Sequence, residues 1–175
     1  FLFVFGRDTR APEPLPSTFT YLRPFHISSH YGLFRVMTKQ RREIVLQGSR
    51  DGREWREYGF RYKPEALDEA PGFAGPHMPR LDWQMWFAAL GNYRSSRNWW
   101  VSHLMFKLME GSPAVVDLLE HNPFPGAPPR YMRAIIYDYA FTDPAERSAT
   151  GNWWKRTLLG RWSPVLERPD FGDGR

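Results

Sequence analysis

Four groups of residues in this sequence have the types and spacing that chemistry uses. Arg80 and Asp82 stand two apart in PRLDWQMWFAAL, an opposite-charge pair beside two tryptophans. Such a pair could line a cleft. The simpler reading makes Asp82 the N-cap of a helix, worth about 1 kcal/mol, with Arg80 its ion-pair neighbour. His26 and His30 have the i, i+4 spacing of helical metal ligands, but their segment is proline-led and no third histidine or carboxylate completes a set. GSRDG, from Gly48, lacks the G-x-S-x-G spacing of a nucleophile elbow and lies where a hairpin turn is expected. Cysteine, a phosphate-binding glycine loop and a zinc-protease helix are all absent. No catalytic residue, cofactor or metal is therefore expected.

The fourth group is the tryptophans. Trp83 and Trp86 stand with Phe87 and Leu90 at i, i+3, i+4 and i+7, the pattern of a helix face turned to a core. Trp99 and Trp100 differ, because adjacent helical residues point about 100° apart. If Trp100 enters the core, Trp99 lies at its edge and is the better candidate for touching a partner. Trp153 and Trp154 pose the same question in a strand, where neighbours face opposite ways. The candidate partner-binding residues are thus Arg80, Asp82, Trp83, Trp86, Trp99 and Trp153.

The elements that must position these residues follow from period and punctuation. Residues 1–23 read as the end of a preceding membrane region plus a proline-rich linker, 24–166 as the folded domain, and 167–175 as a frayed tail. Within the domain, Tyr31 to Thr38 reads as a buried strand. Arg42 to Tyr62 reads as a hairpin turning at Asp51-Gly52, with a bulge near Arg56 and Glu57 where the alternation changes phase. The period then becomes helical: one helix from Asp82 closed by Gly91, a second in NWWVSHLMFKLMEG closed by Gly111, and a third from Ser112-Pro113. YMRAIIYDYAFT alternates cleanly as a strand, and a last strand or strand pair starts at Trp153. Strands on both sides of a helical block predict an α+β fold: a mainly antiparallel sheet or jelly-roll-like sandwich with an inserted block of about three short helices.

Composition bounds the function. With 42% apolar and 17% aromatic residues the chain can bury a full core. Its net charge is +5, and the arginines that carry it alternate with acids in SRDGREWREYGFRY. No basic stripe forms, so nucleic acid is not an expected partner. FLFVF is too short an apolar run to span a bilayer.

YGLFRVMTKQRREIVLQGSRDGREWREYGFRYKP, PHMPRLDWQMWFAAL, HNPFPGAPPRYMRAIIYDYAFT and GNWWKR together resemble the C-terminal domain of the lipase maturation factor family. The resemblance runs from about Pro24 to Trp162. It implies a non-enzymatic folding factor, a soluble domain of a multi-pass membrane protein that binds a client, a secreted lipase or other hydrolase. In eukaryotic relatives the membrane is that of the endoplasmic reticulum; the arginine-rich, lysine-poor composition suggests a bacterial relative and the cell membrane. The family brings no catalytic residues with it. An alternative, suggested by the GS-x-DG-x-x-W hairpin, is a jelly-roll carbohydrate-binding module. It predicts a concave, solvent-facing aromatic cluster at the loop ends of the sandwich, and loses its support if Trp55 is buried and no such cluster exists.

Overall fold

A computed structural model describes Tyr21 and residues 40–73 and 78–169. The chain divides into two compact units, residues 1–39 and 40–175. Of the first only Tyr21 is described, and it is exposed; all that follows concerns the second. The strand expected over Tyr31 to Thr38, His26 and His30 lie outside the described residues.

Five antiparallel strands form one open sheet: β1 (Arg41–Ser49), β2 (Arg56–Glu57), β3 (Tyr131–Phe141), β4 (Trp154–Arg161) and β5 (Leu166–Glu167). Their order is β2-β1-β3-β4, and β5 joins β3 at its start. β1 and β3 pair without interruption from Arg41↔Tyr139 to Ser49↔Tyr131. This central pair brings the two strongest β-patterns of the sequence together across the helical block.

The helices are α1 (Arg80–Ala89), α2 (Trp99–Met109), α3 (Pro113–Val116) and α4 (Pro144–Thr150). Ile44 and Leu46 of β1 and Met132 and Ala134 of β3 share one sheet face, and against it pack Met85, Ala88, Val101, Met105 and Leu108. Gly48 lies on the same face beside the loop before β3, so close that a Cβ there would meet Phe124 Cε2 at 2.6 Å. The open-sheet form of the expected α+β fold is the one realised, and the described residues contain one sheet.

Several local expectations need correction. Asp82 is not the cap of α1: Pro79 precedes the helix, Asp82 sits inside its first turn, and its side chain is wholly buried. The buried face of α1 is Asp82, Met85, Ala88 and Ala89, so it is turned from the expected Trp83/Trp86/Phe87/Leu90 stripe; Trp83 and Leu90 are exposed, and Trp86 and Phe87 are half-buried. Small residues win that face because the backbone approaches the sheet closely there. Leu90, in ordinary helical conformation, ends the helix where Gly91 was expected to. The bulge expected near Arg56 and Glu57 is absent, for both residues pair regularly with Gly48 and Gln47. The change of phase has another cause: Trp55 lies by the sheet face opposite α1 and α2, while Tyr58 and Phe60 enter the core on the helix side. The bulge that does occur is in β4, where the register shifts opposite Ile136/Tyr137 and Leu159 is the extra residue.

α2 begins and ends where the sequence places it, with Gly111 at φ 70° just beyond it; α3 starts at Pro113 as expected but stops at Val116, short of the PAVVDLLEH run that reads as helix to His121. α4 was not expected. Its signal was present: Asp143 and Glu146 form a capping box around Pro144, and Gly151 closes the helix at φ 75°.

Candidate functional site

One exposed surface, one half-shielded array of arginines and rings, and one buried cluster carry the chemistry of this unit. The cluster comes first because it fixes the rest. Beyond its two residues of pairing with β2, β1 has lost its partner strand, and the chain after Tyr58 satisfies that edge by other means. The Tyr58 N–H donates to the Leu46 carbonyl at 2.9 Å, and the Lys63 ammonium donates to the Ile44 carbonyl. Lys63 is buried, with Glu43 Oε2 at 3.8 Å, Glu65 Oε1 at 3.4 Å and the Phe60 ring centroid at 4.4 Å. Glu65 also accepts the Phe60 N–H at 2.8 Å. Burial pushes the Glu65 carboxyl up to about 7, with Lys63 and that N–H pulling against it. Two carboxylates around a lysine have the inventory of a catalytic site. Here, however, the Glu43 and Lys63 side chains are only 1% exposed, so a substrate cannot reach them, and the cluster acts as an internal latch. Sequence reasoning missed it because KPE reads as the start of a surface excursion.

Asp82 does a similar job. Its Oδ1 accepts the Tyr62 N–H at 2.9 Å, tying α1 to the backbone next to Lys63, while its Oδ2 has no hydrogen-bond partner. From Lys63 the chain crosses the sheet to β4. The Leu67 carbonyl accepts the N–H groups of Trp153 and Trp154, and the Glu69 carbonyl accepts Trp154 Nε1–H.

The exposed surface is helical. Trp99 opens α2 and is 61% exposed, its ring edge-on to His103 at 4.8 Å, while Trp100 is half-buried against the core. Trp83 is 39% exposed and touches Phe87, which in turn contacts Trp86. Arg80 is exposed at the start of α1. Trp153 is half-buried under the Arg147 guanidinium, 3.0 Å from its ring centroid. Of the six candidate residues, Arg80, Trp83 and Trp99 therefore face solvent, Trp86 and Trp153 do so in part, and Asp82 does not.

A second array occupies the sheet face opposite α1 and α2, and much of it is buried: Glu43, Val45, Gln47, Ile135, Tyr139 and Trp154 are all shielded from solvent. Pairing places Arg41, Glu43, Val45 and Gln47 of β1, Arg133, Ile135, Tyr137 and Tyr139 of β3, and Trp154, Arg156, Leu158 and Arg161 of β4 on that face. Arginines alternate with rings across it. Arg133 lies over Trp55 at 4.1 Å, Arg156 over Tyr137 at 4.6 Å and Arg41 over Trp154 at 5.5 Å. Arg156 also binds both oxygens of Glu57 at 3.0 and 3.2 Å and donates to Tyr139. That bridge spans from β4 to β2 over the two strands between them. Burial works against the charge of Arg156, but Glu57 and Tyr139 outweigh it and its pKa is raised. Arg133 is the opposite case: burial first, then the neighbouring Arg161, lower its pKa. Beyond this array Leu158 is 61% exposed.

The GSRDG segment is structural. Asp51 accepts from the N–H groups of Arg53 and Glu54 and from the Ser49 hydroxyl, which hold its carboxyl down to about 2. Among the described residues no cluster of three or more metal-ligating side chains forms, and no helix is long and apolar enough to cross a membrane.

The chain is similar to a known domain family and to several named proteins. Residues 27–164 match the lipase maturation factor C-terminal domain. The chain is 42% identical to human lipase maturation factor 2 over 150 residues, which is 82% of this chain and 20% of that protein. It is 40% identical to chicken lipase maturation factor 2 over 159 residues, 87% of this chain and 22% of that protein. Human lipase maturation factor 1 is 39% identical over 166 residues, 88% of this chain and 29% of that protein. The chain therefore spans between about a fifth and a third of the length of these relatives. No solved structure matches it. By the extent of the match and its agreement with the α+β architecture, this chain belongs to the lipase maturation factor family, as its C-terminal domain.

Proposed function

We propose that this domain is a non-enzymatic client-binding module, part of a multi-pass membrane protein, that holds a secreted lipase or other hydrolase during its maturation. The observation that carries this reading is the exposure of Trp99, a large apolar side chain placed outside the core by a helix whose other side is fully used. Trp83, 39% exposed, adds to it. Partly folded clients offer apolar patches and carboxylates, and exposed tryptophan and arginine are the residues best suited to bind both. The absence of a catalytic role rests on the burial of the paired carboxylates Glu43 and Glu65 around Lys63.

The carbohydrate-binding alternative is the weaker one, since Trp55 is half-buried with Arg133 over its ring at 4.1 Å.

The test is capture of a purified secreted lipase, either native or diluted from denaturant, by the immobilised chain and by its Trp99→Ala variant. Circular dichroism establishes that both are folded. Preferential capture of the refolding lipase, weakened about tenfold by Trp99→Ala, is the expected result. Equal capture by both variants removes Trp99 from the contact, and no capture of either lipase form removes the client-binding reading.

A further inference from the structure

β4 is an edge strand. The Thr142 N–H donates to the Trp153 carbonyl and the Trp162 N–H to the Ala134 carbonyl, which fixes the positions of β4 that bond to β3. By alternation the backbone groups of Trp154, Arg156 and Leu158 point away from the sheet. The Trp154 N–H is taken by the Leu67 carbonyl. From Arg156 onward no strand continues that pairing among the described residues, and Lys155, Thr157, Leu158, Leu159 and Arg161 are all exposed.

We propose that the β4 edge from Arg156 to Arg161 takes up an extended segment of the client as an added strand, with an apolar side chain beside Leu158 and a carboxylate beside Arg161. The proposal rests on the client-binding reading and assigns it a second contact, distinct from Trp99. Three observations lead to it. The chain's own segment at Leu67 already bonds to one end of this edge, so the edge accepts backbone partners. Leu158 and Leu159, 61% and 50% exposed, give an incoming strand apolar area to cover. Arg161 is exposed and makes no ion pair among the described residues, so its guanidinium has room for an anion.

Charge selects the occupant. Lys155 and Arg156 already hold Glu146 and Glu57, so Arg161 is the cation this edge offers; a second copy pairing edge to edge brings it no carboxylate, since residues 155–161 contain none, whereas an acidic segment does. Main-chain bonds provide affinity without demanding a sequence, and the alternate side chains provide preference.

The experiment uses the 175-residue chain and a short fluorescein-labelled peptide of alternating valine and aspartate, beside the same peptide N-methylated at alternate residues. The expected result is that the first peptide binds, the methylated one does not, and the Arg156 and Leu158 amides become protected from hydrogen exchange on binding. Leu158→Pro removes an outward N–H without touching the β3 ladder, and weakens binding about tenfold. Should that variant fail to fold, Arg161→Glu decides: it weakens the aspartate peptide and restores binding to a valine–lysine peptide. Equal binding of both peptides, unchanged exchange at Arg156 and Leu158, or full binding by folded Leu158→Pro overturns the proposal. So does a homodimer dissolved by Leu158→Pro. If these arms fail while Trp99-dependent lipase capture persists, the edge is wrong and the client reading stands; loss of both ends both.

Discussion

Single residues divide into those that hold the domain together and those left over for a partner. Asp82 belongs to the first kind. Asp82→Ala strands the Tyr62 N–H and is expected to destabilise the domain by about 1–3 kcal/mol in urea denaturation. Its effect on lipase capture by the remaining folded protein should be nil. Glu65 adds a pH dependence with a definite sign. Its carboxyl is raised from 4.5 to about 7 in the folded state, so between those values the folded protein binds the extra proton and stability falls as pH rises. The contribution is fully present below about pH 4.5 and lost as pH passes 7. Denaturation at pH 5 and pH 8 should differ by about 2 kcal/mol from this group, and Glu65→Gln, which keeps an acceptor for the Phe60 N–H, should remove that part of the difference. A slope unchanged in the variant would place its origin elsewhere.

At the level of elements, α2 shows how much the sequence reveals. Its limits, its core face through Val101, Leu104, Met105 and Leu108, and the outward position of Trp99 are all legible from period and adjacency. Stability measurements should separate the two faces: Met105→Ala is expected to cost about 2–5 kcal/mol and Trp99→Ala less than about 0.5 kcal/mol. α1 shows the limit of the same method. Its aromatic stripe is stronger than its true core face of Asp82, Met85, Ala88 and Ala89, because close approach to β1 selects small residues that periodicity does not weigh. Hairpin β1/β2 is legible from Asp51-Gly52, yet β2 stops after two residues, since Lys63 in place of a strand caps the β1 edge. No local pattern announces a lysine bonded to a carbonyl in a buried latch. Gly48 in β1 is likewise a tertiary requirement; Gly48→Ala should cost about 1–3 kcal/mol by driving a methyl into Phe124 and Pro129.

For the molecule as a whole, the separation of latch from surface means that binding and stability can be altered independently. If the strand edge binds an acidic client segment through Arg161 as proposed, capture is sensitive to ionic strength: raising salt from about 0.05 to 0.5 M should weaken it severalfold while Trp99 contacts persist. Capture that is flat across that range would assign the affinity to the helical tryptophans alone. The sheet order carries one further consequence. β1, seven of whose nine residues end up buried, is completed only by β3, and the Glu57–Arg156 bridge joins positions 99 residues apart. Contacts this distant in sequence make folding slow. During synthesis β1 emerges well before the strand that covers it, so a domain whose family serves the maturation of other proteins itself passes through a vulnerable, aggregation-prone interval. Its expression yield should therefore depend on how fast β3 and β4 are supplied.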